Sequence, residues 1–484
     1  MSQRDILLFF SDQHAPQFMA GEEINVDTPH LNALRTGGTT FTQAYTACPL
    51  CVPARMAMLS GLRASHTGIF TNVDTLSDTM PTFLHHLAAA GYETVLIGRM
   101  HFIGENQRHG FTKRIAPDIT LVTWTRPEHL KQERGVFART FAGKWAPQVV
   151  GGGESPVLHY DELVIQAAED YLRQPHQKPQ FIIVGTYGPH FPYVAPKKLF
   201  QKYWERVEVP AMHNTLPPYM NRCLQKHRVE TTPQVAKGVR AAYCGMIEHM
   251  DGQIGRVKAA FDNFTARRGT QKLFGYFSDH GDQAGERDLY GKETFFEKSV
   301  RIPLILAGDD VVQNQRIDAP VSILDIAPTM CEWAGASALN QADGISLAAA
   351  LKGQAENNQR MVYSEYMEKL DDAWHYSIML RHKGWKFISY HGFEESDMLF
   401  DLEKDPLEKQ NRALESPETL KAFRIKAQEL APFPQQYEQA QEQQTKDAQL
   451  FIAYENAVGL KEQERWKDNP PSARVNPEIC IAGL

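Results

Sequence analysis

The sequence lacks the long apolar runs and the basic clusters that mark several common classes of protein. Its longest apolar stretches are short, such as Ile6 to Phe10 and Phe181 to Val184. A membrane-spanning helix needs roughly 18 consecutive apolar residues, so the chain is not expected to span a membrane. No Lys/Arg cluster suits a phosphate backbone and the formal net charge is -7, so nucleic acid is not an expected partner.

Cysteine is also scarce. The six cysteines, at positions 48, 51, 223, 244, 331 and 480, do not form the framework of a disulfide-rich secreted protein. The amino terminus runs from Met1 directly into Ile6, where the apolar region is too short for a signal peptide. We therefore expect a cytoplasmic protein, or a periplasmic one if a leader segment has been removed.

What is present is the composition of an ordinary globular enzyme, with 42% hydrophobic and 23% charged residues. A chain of 484 residues is long enough for one large domain and a smaller one. A homo-oligomer is compatible with this composition, and the sequence does not fix the oligomeric state.

Short apolar runs, each followed by polar residues of ligand type and separated by helical patterns, predict an α/β sheet. The four clearest runs are Ile6–Phe10, Thr94–Ile97, Phe181–Val184 and Leu273–Phe277. The polar residues that follow them in turn are Asp12, then Arg99 and His101, then His190, then Asp279 and His280. Open α/β sheets bind ligands outside the carboxyl ends of their strands, so we predict that these side chains converge.

The pattern changes after about residue 360. Alternating segments at Tyr376–Leu380, Trp385–Tyr390 and Met398–Leu402 predict antiparallel strands, and Ser416-Pro417 predicts the start of a helix that Pro432 ends. We therefore predict two domains, residues 1–360 and a smaller α+β domain at residues 361–484.

The strongest local motif is Cys51-Val-Pro-Ala-Arg55. Pro53 suits the first turn of a helix and Gly61 its end, which places Cys51 at a helix amino terminus. The positive end of the helix dipole favours an anion such as a sulfuryl or phosphoryl group. The alternative is a redox or metal pair formed by Cys48 and Cys51, although no second cysteine pair accompanies it.

This motif resembles the Cys-x-Pro-Ser/Ala-Arg signal of the type I sulfatases, in which a maturation enzyme oxidises the cysteine to formylglycine. Four further segments resemble family motifs in the same order: Gly98-Arg-Met-His101, Gly188-Pro-His190-Phe-Pro192, Ser278-Asp-His-Gly281 and Tyr290-Gly-Lys292. The resemblance implies the alkaline phosphatase superfamily and its α/β/α sandwich with a mixed, mostly parallel sheet.

The same resemblance implies an enzyme that hydrolyses a sulfate ester. The metal ligands it implies are Asp12, Gln13, Cys51, Asp279 and His280. The implied cation is Ca²⁺, and the histidine ligand leaves Mg²⁺ or Mn²⁺ as alternatives. Arg55, Arg99 and Lys292 would hold the sulfuryl oxygens, His190 would protonate the leaving alcohol, and His101 would accept a proton.

Each of these residues also has an ordinary structural interpretation when taken alone. Asp12 and Asp279 could be turn or helix-cap residues, His101 and His190 loop histidines, and Lys292 a surface charge. Three of the residues depart from the common family pattern. Gln13 replaces a second acid, Arg99 replaces lysine, and His280 replaces asparagine.

The Asp-His pair also occurs in choline sulfatases and phosphonate monoester hydrolases. We expect a small-molecule or glycan sulfate ester as substrate, with a carbohydrate sulfate favoured. The alternatives are choline sulfate, for which Trp124 is the candidate aromatic wall, and a phosphonate monoester or phosphodiester. A catalytically inactive sulfate-binding protein is the alternative if Cys51 remains a thiol.

Overall fold

The computed structural model of the chain describes residues 4–120, 143–354, 359–458 and 476–482. Its strands are β1 (Arg4–Asp12), β2 (Gly38–Phe41), β3 (Ala44–Tyr45), β4 (Glu93–Gly98), β5 (Lys113–Arg114), β6 (Val150–Glu154), β7 (Gln180–Pro189), β8 (Tyr193–Ala195), β9 (Gln271–Ser278), β10 (Arg301–Ile302), β11 (Leu304–Gly308), β12 (Gln315–Ile317), β13 (Val321–Ser322), β14 (Met361–Leu370), β15 (Ala373–His382), β16 (Trp385–Tyr390), β17 (Met398–Asp401) and β18 (Asn476–Ala482). Its α-helices are α1 (Pro29–Thr36), α2 (Cys51–Ser60), α3 (Ala64–Thr67), α4 (Phe83–Ala89), α5 (Pro156–Arg173), α6 (Lys197–Trp204), α7 (Arg222–Gln225), α8 (Pro233–Arg268), α9 (Glu297–Val300), α10 (Ile326–Trp333), α11 (Ala348–Leu351), α12 (Pro417–Leu430) and α13 (Pro434–Val458).

The main sheet has eight strands in the order β12-β2-β11-β9-β1-β7-β4-β5. Five of its seven neighbouring pairs are parallel, and β11 is antiparallel to both of its neighbours. The four apolar runs noted in the sequence form β1, β4, β7 and β9, which are adjacent and parallel. Their carboxyl ends therefore meet at one edge of the sheet, as predicted.

Helices cover both faces of this sheet because side chains alternate along each strand. In β1, Leu7 and Phe9 pack into a core shared with α5 and α8. Ile6, Leu8 and Phe10 point the other way, into a core shared with α2, α4 and α10. This is the predicted α/β/α sandwich, and burial on both faces explains why β1 is an uninterrupted apolar run.

A second, antiparallel sheet begins at Met361 and has the order β14-β15-β16-β17. The predicted strands and the helix that follows Ser416 are all present there. Strand β18, which falls within the predicted second domain, instead pairs with β6 of the first. The division into two domains at residue 360 therefore stays a prediction, because β18 lies after this residue in the sequence and pairs with a strand that lies before it. No helix within the described ranges combines the length and apolarity of a membrane span.

Candidate active site

Four of the predicted metal ligands meet at the carboxyl edge of the main sheet. Asp12 ends β1, Asp279 and His280 follow β9, and Cys51 is the first residue of α2. All four are buried, and one ligand atom from each lies within 4.8 Å of the others. The convergence predicted from the sequence is therefore present.

The donor atoms of this group suit a divalent cation. His280 Nδ1 lies 3.1 Å from the Gly281 carbonyl oxygen, which accepts its proton, so Nε2 keeps a free lone pair. That Nε2 lies 3.2 Å from Cys51 Sγ and 3.7 Å from a carboxylate oxygen of both Asp12 and Asp279. Two carboxylates and an imidazole that face one point fit a hard or borderline metal ion.

Two buried arginines pair with the carboxylates. Arg55 Nε donates to Asp279 Oδ2 at 2.9 Å, and its Nη2 lies 3.1 Å from Asp12 Oδ2. Arg99 Nε donates to the same Asp12 oxygen at 2.7 Å. Burial acts to raise the pKa of Asp12, but the positive charges of Arg99, Arg55 and Lys292 outweigh it and hold the pKa well below its usual range.

Arg55 also keeps an unused donor. Its Nη1 is buried and has no hydrogen-bond partner among the described residues. A buried guanidinium N–H without a partner is costly, and an anion that lies beside Cys51 would satisfy it. The predicted role of Arg55 in holding a sulfuryl oxygen fits this arrangement.

Gln13 has a left-handed φ of 68° and lies between two charged groups. Its Oε1 accepts from Lys292 Nζ at 2.7 Å, and its Nε2 donates to Asp282 Oδ2 at 2.6 Å. Because its side-chain oxygen is already engaged, the structure places Gln13 as a link between Lys292 and Asp282. Its role as a metal ligand stays a prediction.

His190 and Lys292 form a contact suited to proton transfer. His190 Nδ1 donates to the Phe191 carbonyl oxygen at 2.9 Å, so Nε2 accepts from Lys292 Nζ at 2.5 Å. Burial and the charge of Lys292 lower the pKa of His190 well below its usual value. The neutral ring therefore carries no proton on Nε2, which accepts from Lys292, and the role of His190 in protonating the leaving alcohol stays a prediction.

Asp161, which the sequence analysis missed, holds the loop that presents His190. Its carboxylate accepts from the backbone N–H groups of Tyr187 at 2.7 Å and Gly188 at 2.8 Å. Burial raises the pKa of Asp161 to about 7. Asp161 lies inside α5, where no sequence motif distinguishes it from an ordinary helix residue.

We expect His190→Ala to slow substrates with poor leaving groups far more than activated aryl sulfates. General acid catalysis typically contributes about 10²-fold to 10⁴-fold, and this contribution shrinks as the leaving group becomes a stronger acid. Rates for a series of alkyl and aryl sulfates should therefore depend more steeply on leaving-group pKa in the variant. His66→Ala, at a half-exposed histidine, is the control. An equal loss on every substrate would assign His190 to sulfuryl binding instead.

Asp118 is a second residue that the sequence analysis missed. It is buried, and its Oδ1 lies 3.2 Å from Arg99 Nη1. Its Oδ2 accepts from the backbone N–H groups of Met100 at 3.2 Å and His101 at 2.7 Å. Asp118 therefore fixes both the guanidinium of Arg99 and the backbone that carries His101, whose φ is 60°.

The tautomer of His101 follows from its neighbour. Arg99 Nη2 donates to His101 Nδ1 at 2.9 Å, because arginine cannot accept a hydrogen bond. The neutral ring then carries its proton on Nε2. Burial and the charge of Arg99 lower the pKa of His101 well below its usual value. The predicted role of His101 as proton acceptor stays a prediction.

We expect Asp118→Asn to lower kcat by about tenfold to a hundredfold, as is typical for residues that orient catalytic side chains. The asparagine keeps the size of the side chain but loses the charge that faces Arg99. Thr120→Val is the comparison variant, because it removes the 2.7 Å hydroxyl contacts to Arg99 and to Asp118 Oδ1 and keeps the charge of Asp118 and its contacts to the backbone. Wild-type kcat in Asp118→Asn would contradict the positioning role.

Comparisons with known proteins agree with this geometry. Residues 4–336 match the family model described as Sulfatase, and residues 285–431 match the one described as N-sulphoglucosamine sulphohydrolase, C-terminal. A choline-sulfatase from Rhizobium meliloti (strain 1021) is 31% identical over 452 residues, which cover 87% of this chain and 85% of that protein. Arylsulfatase K from Mus musculus is 28% identical over 502 residues, covering 94% of this chain and 84% of that protein.

Solved structures share the fold at lower identity. The phosphonate monoester hydrolase from Silicibacter pomeroyi has a TM-score of 0.70 and 21% identity, covering 88% of this chain and 94% of that one. A protein solved in complex with its substrate D-glucosamine-2-N,6-O-disulfate has a TM-score of 0.68 and 19% identity, covering 90% and 98%. The match of the family model over most of the chain and the 31% identity to a curated relative establish that this chain belongs to the sulfatase family and is a sulfuric ester hydrolase.

Proposed function

We propose that this sulfatase hydrolyses an O-sulfated carbohydrate, with a formylglycine made from Cys51 and with Ca²⁺ as its cation. One observation carries the chemical part of the proposal. Cys51 lies among Asp12, Asp279 and His280, and the buried Nη1 of Arg55 is left without a partner. These residues would form a metal site that includes the modifiable cysteine, and Arg55, which pairs with Asp12 and Asp279, would add a donor for an anion.

The family implies formylglycine and a divalent metal, and the side chains present fit both. A bound cation would lower the pKa of the attacking hydroxyl and neutralise charge on the transferring group. Arg55 would hold a sulfuryl oxygen through Nη1, its donor without a partner, and Arg99 would add its positive charge beside Asp12. His190 and Lys292 would deliver the proton to the leaving oxygen. Maturation of Cys51 needs a formylglycine-generating enzyme as partner.

Ca²⁺ is supported by the oxygen ligands of Asp12 and Asp279, which are the donors that calcium prefers. Imidazole is not a preferred calcium ligand, and His280 therefore keeps Mg²⁺ and Mn²⁺ as alternatives. Activity measured after metal removal and separate additions of the three cations distinguishes them.

The aromatic rings next to the site favour a carbohydrate over choline. A quaternary ammonium group is bound by aromatic faces that are free to receive it. Here the guanidinium carbon of Arg99 lies 4.7 Å from the ring centroid of Tyr187, and Lys292 Nζ lies 5.1 Å from that of Phe191. Both rings already face a cation of the protein itself. Trp124, the aromatic residue proposed from the sequence, lies outside the described residues.

Choline sulfate remains the second candidate, because the relative from Rhizobium meliloti is named for it. A panel of purified, fully matured enzyme against sulfated monosaccharides and disaccharides, choline sulfate and an aryl phosphonate ester tests the proposal. We expect the highest kcat/KM on a sulfated sugar. A higher kcat/KM on choline sulfate or on the phosphonate ester would overturn the substrate assignment and leave the site chemistry intact.

A further inference from the structure

A cavity of about 530 Å³ lies between the first domain and the C-terminal sheet, lined by none of the proposed catalytic residues. Its volume falls within the range of small-molecule binding sites. Ionisable side chains dominate its lining, with five glutamates and five cations. The pairing of these charges therefore decides what the cavity can bind.

All five glutamates are already paired with cations. Glu22 lies 2.9 Å from Arg35, and Glu23 lies 2.7 Å from Lys298. Glu286 is paired with Arg240 and Lys298. The last two carboxylates share one buried ammonium group, since Lys386 Nζ lies 2.9 Å from Glu297 and 2.8 Å from Glu408. Four cations, Arg35, Arg240, Lys298 and Lys386, thus hold the five glutamates at ion-pair distance, and none of the four is an arginine of the lining.

Four arginines of the lining have no carboxylate within ion-pair distance among the described residues, although the charges of Arg301 and Arg381 act on Glu297 from farther away. Arg381 donates only to Tyr45 Oη, the Trp385 carbonyl and Gln43. Arg301 donates through Nε to the Thr42 carbonyl at 2.8 Å, and Arg287 donates to two carbonyl oxygens and leaves a buried Nε unpaired. The exposed fourth arginine is Arg316.

The cavity continues into a second one. An adjoining cavity of about 750 Å³ shares Gln43, Arg316 and Arg381 with the first. Two of the arginines without carboxylate partners thus lie where the cavities meet. An anion bound at this junction would have room on both sides for the molecule that carries it.

We propose that this cavity is a second binding site, which takes a carboxylate or sulfate group on a molecule the size of a monosaccharide or disaccharide. Guanidinium groups bind either oxyanion through paired N–H donors, and an arginine without a carboxylate at ion-pair distance is the side chain suited to this role. The inference concerns binding alone and does not depend on which sulfate ester the enzyme hydrolyses.

The segment that follows β9 connects this site to the catalytic one. It supplies Asp279, His280 and Lys292 to the active site, and it supplies Arg287 and Arg301 to the cavity. Gly281, next to His280, donates its backbone N–H to the Ser299 carbonyl at 2.7 Å. A molecule bound in the cavity would therefore contact the same segment that carries the metal ligands Asp279 and His280.

Calorimetric titration of the wild-type protein with D-glucuronate, and with D-glucose as the neutral counterpart, tests the proposal. We expect glucuronate to bind and glucose not to bind. The double variant Arg301→Gln/Arg316→Gln should weaken glucuronate binding by about tenfold or more, the effect of losing charge-assisted hydrogen bonds. Ala211→Trp, which fills the cavity from an exposed position, should weaken binding without any change of charge.

Arg256→Gln is the matched control, because this arginine pairs with Glu162 and Glu169 outside the cavity. No glucuronate binding, or binding unchanged in both cavity variants, would overturn the proposal. Kinetics identify the source of the anion. If the cavity is a substrate subsite, the double variant should raise KM only for sulfated disaccharides that carry a second anionic group. If it is a separate effector site, glucuronate should change the rate of the wild-type enzyme, and the double variant should lose this effect.

Discussion

Cys51→Ala is expected to abolish sulfate ester hydrolysis, with a loss in kcat on the order of 10⁶-fold, as when an enzyme loses its nucleophile. Cys51 Sγ lies 3.2 Å from His280 Nε2 and 3.9 Å from Asp12 Oδ1, so a nucleophile made from Cys51 would lie beside the metal ligands. The side chain is buried, with 1% exposure, and it is small. The variant should nevertheless fold, at a cost of about 1 kcal/mol.

A variant with serine at the same position tests whether the reaction needs an aldehyde hydrate or only a simple hydroxyl nucleophile. A hydrate has two hydroxyls, so one can attack sulfur and the other can later lose its proton to expel sulfate. Serine has one hydroxyl, so the sulfate ester formed on it has no second hydroxyl whose deprotonation could expel sulfate. Cys51→Ser should therefore show at most a single turnover, and mass spectrometry should detect the sulfated serine.

The control for both variants is Cys480→Ala, at an exposed cysteine on β18, which should keep full activity. Mass spectrometry of the wild-type peptide that contains Cys51 should show formylglycine in active protein. Fully active protein with only unmodified cysteine at position 51 would contradict the formylglycine chemistry.

The sequence predicted most of this site because its parts are local. Each strand end follows an apolar run, and the start of α2 is marked by Pro53 and its end by Gly61, whose φ is 71°. The motifs at Cys51 and Asp279 could therefore be placed on their elements. Parallel pairing of β1, β7 and β9 then brings them together.

The residues that position the catalytic groups could not be predicted, because tertiary contacts alone define their roles. Asp118 follows β5, a strand of two residues that leaves no apolar pattern. Asp161 lies within a helix and contacts a loop that is 26 residues away in sequence. The return of β18 to β6 likewise depends on pairing across the whole chain. The periodicity of apolar residues along the sequence does not predict contacts of this kind.

Removal of the metal should abolish activity, and a divalent cation should restore it. The expected loss is on the order of 10⁴-fold or more, because the cation would supply both the acidified hydroxyl and the charge that faces the sulfuryl group. The protein should stay folded without the metal, because the carboxylates of Asp12 and Asp279 also have arginine partners. Arg55 pairs with both carboxylates and Arg99 with Asp12, so their negative charges are already compensated without a metal. Dialysis against a chelator, followed by titration with Ca²⁺, Mg²⁺ or Mn²⁺, measures the effect.

Asp279→Ala and Asp279→Asn together measure how much the side-chain oxygens of this residue contribute to metal binding and to kcat. Alanine removes both oxygens, so metal affinity and kcat should fall together, whereas asparagine keeps one oxygen and should retain part of both. In either variant Arg55 loses the charged partner of its Nε, so thermal unfolding must be measured beside metal binding. Asp372→Ala, at a side chain that is 98% exposed, is the control for loss of an acid. Full activity after exhaustive chelation would show that the charge on the sulfuryl group is met by Arg55, Arg99 and Lys292 alone.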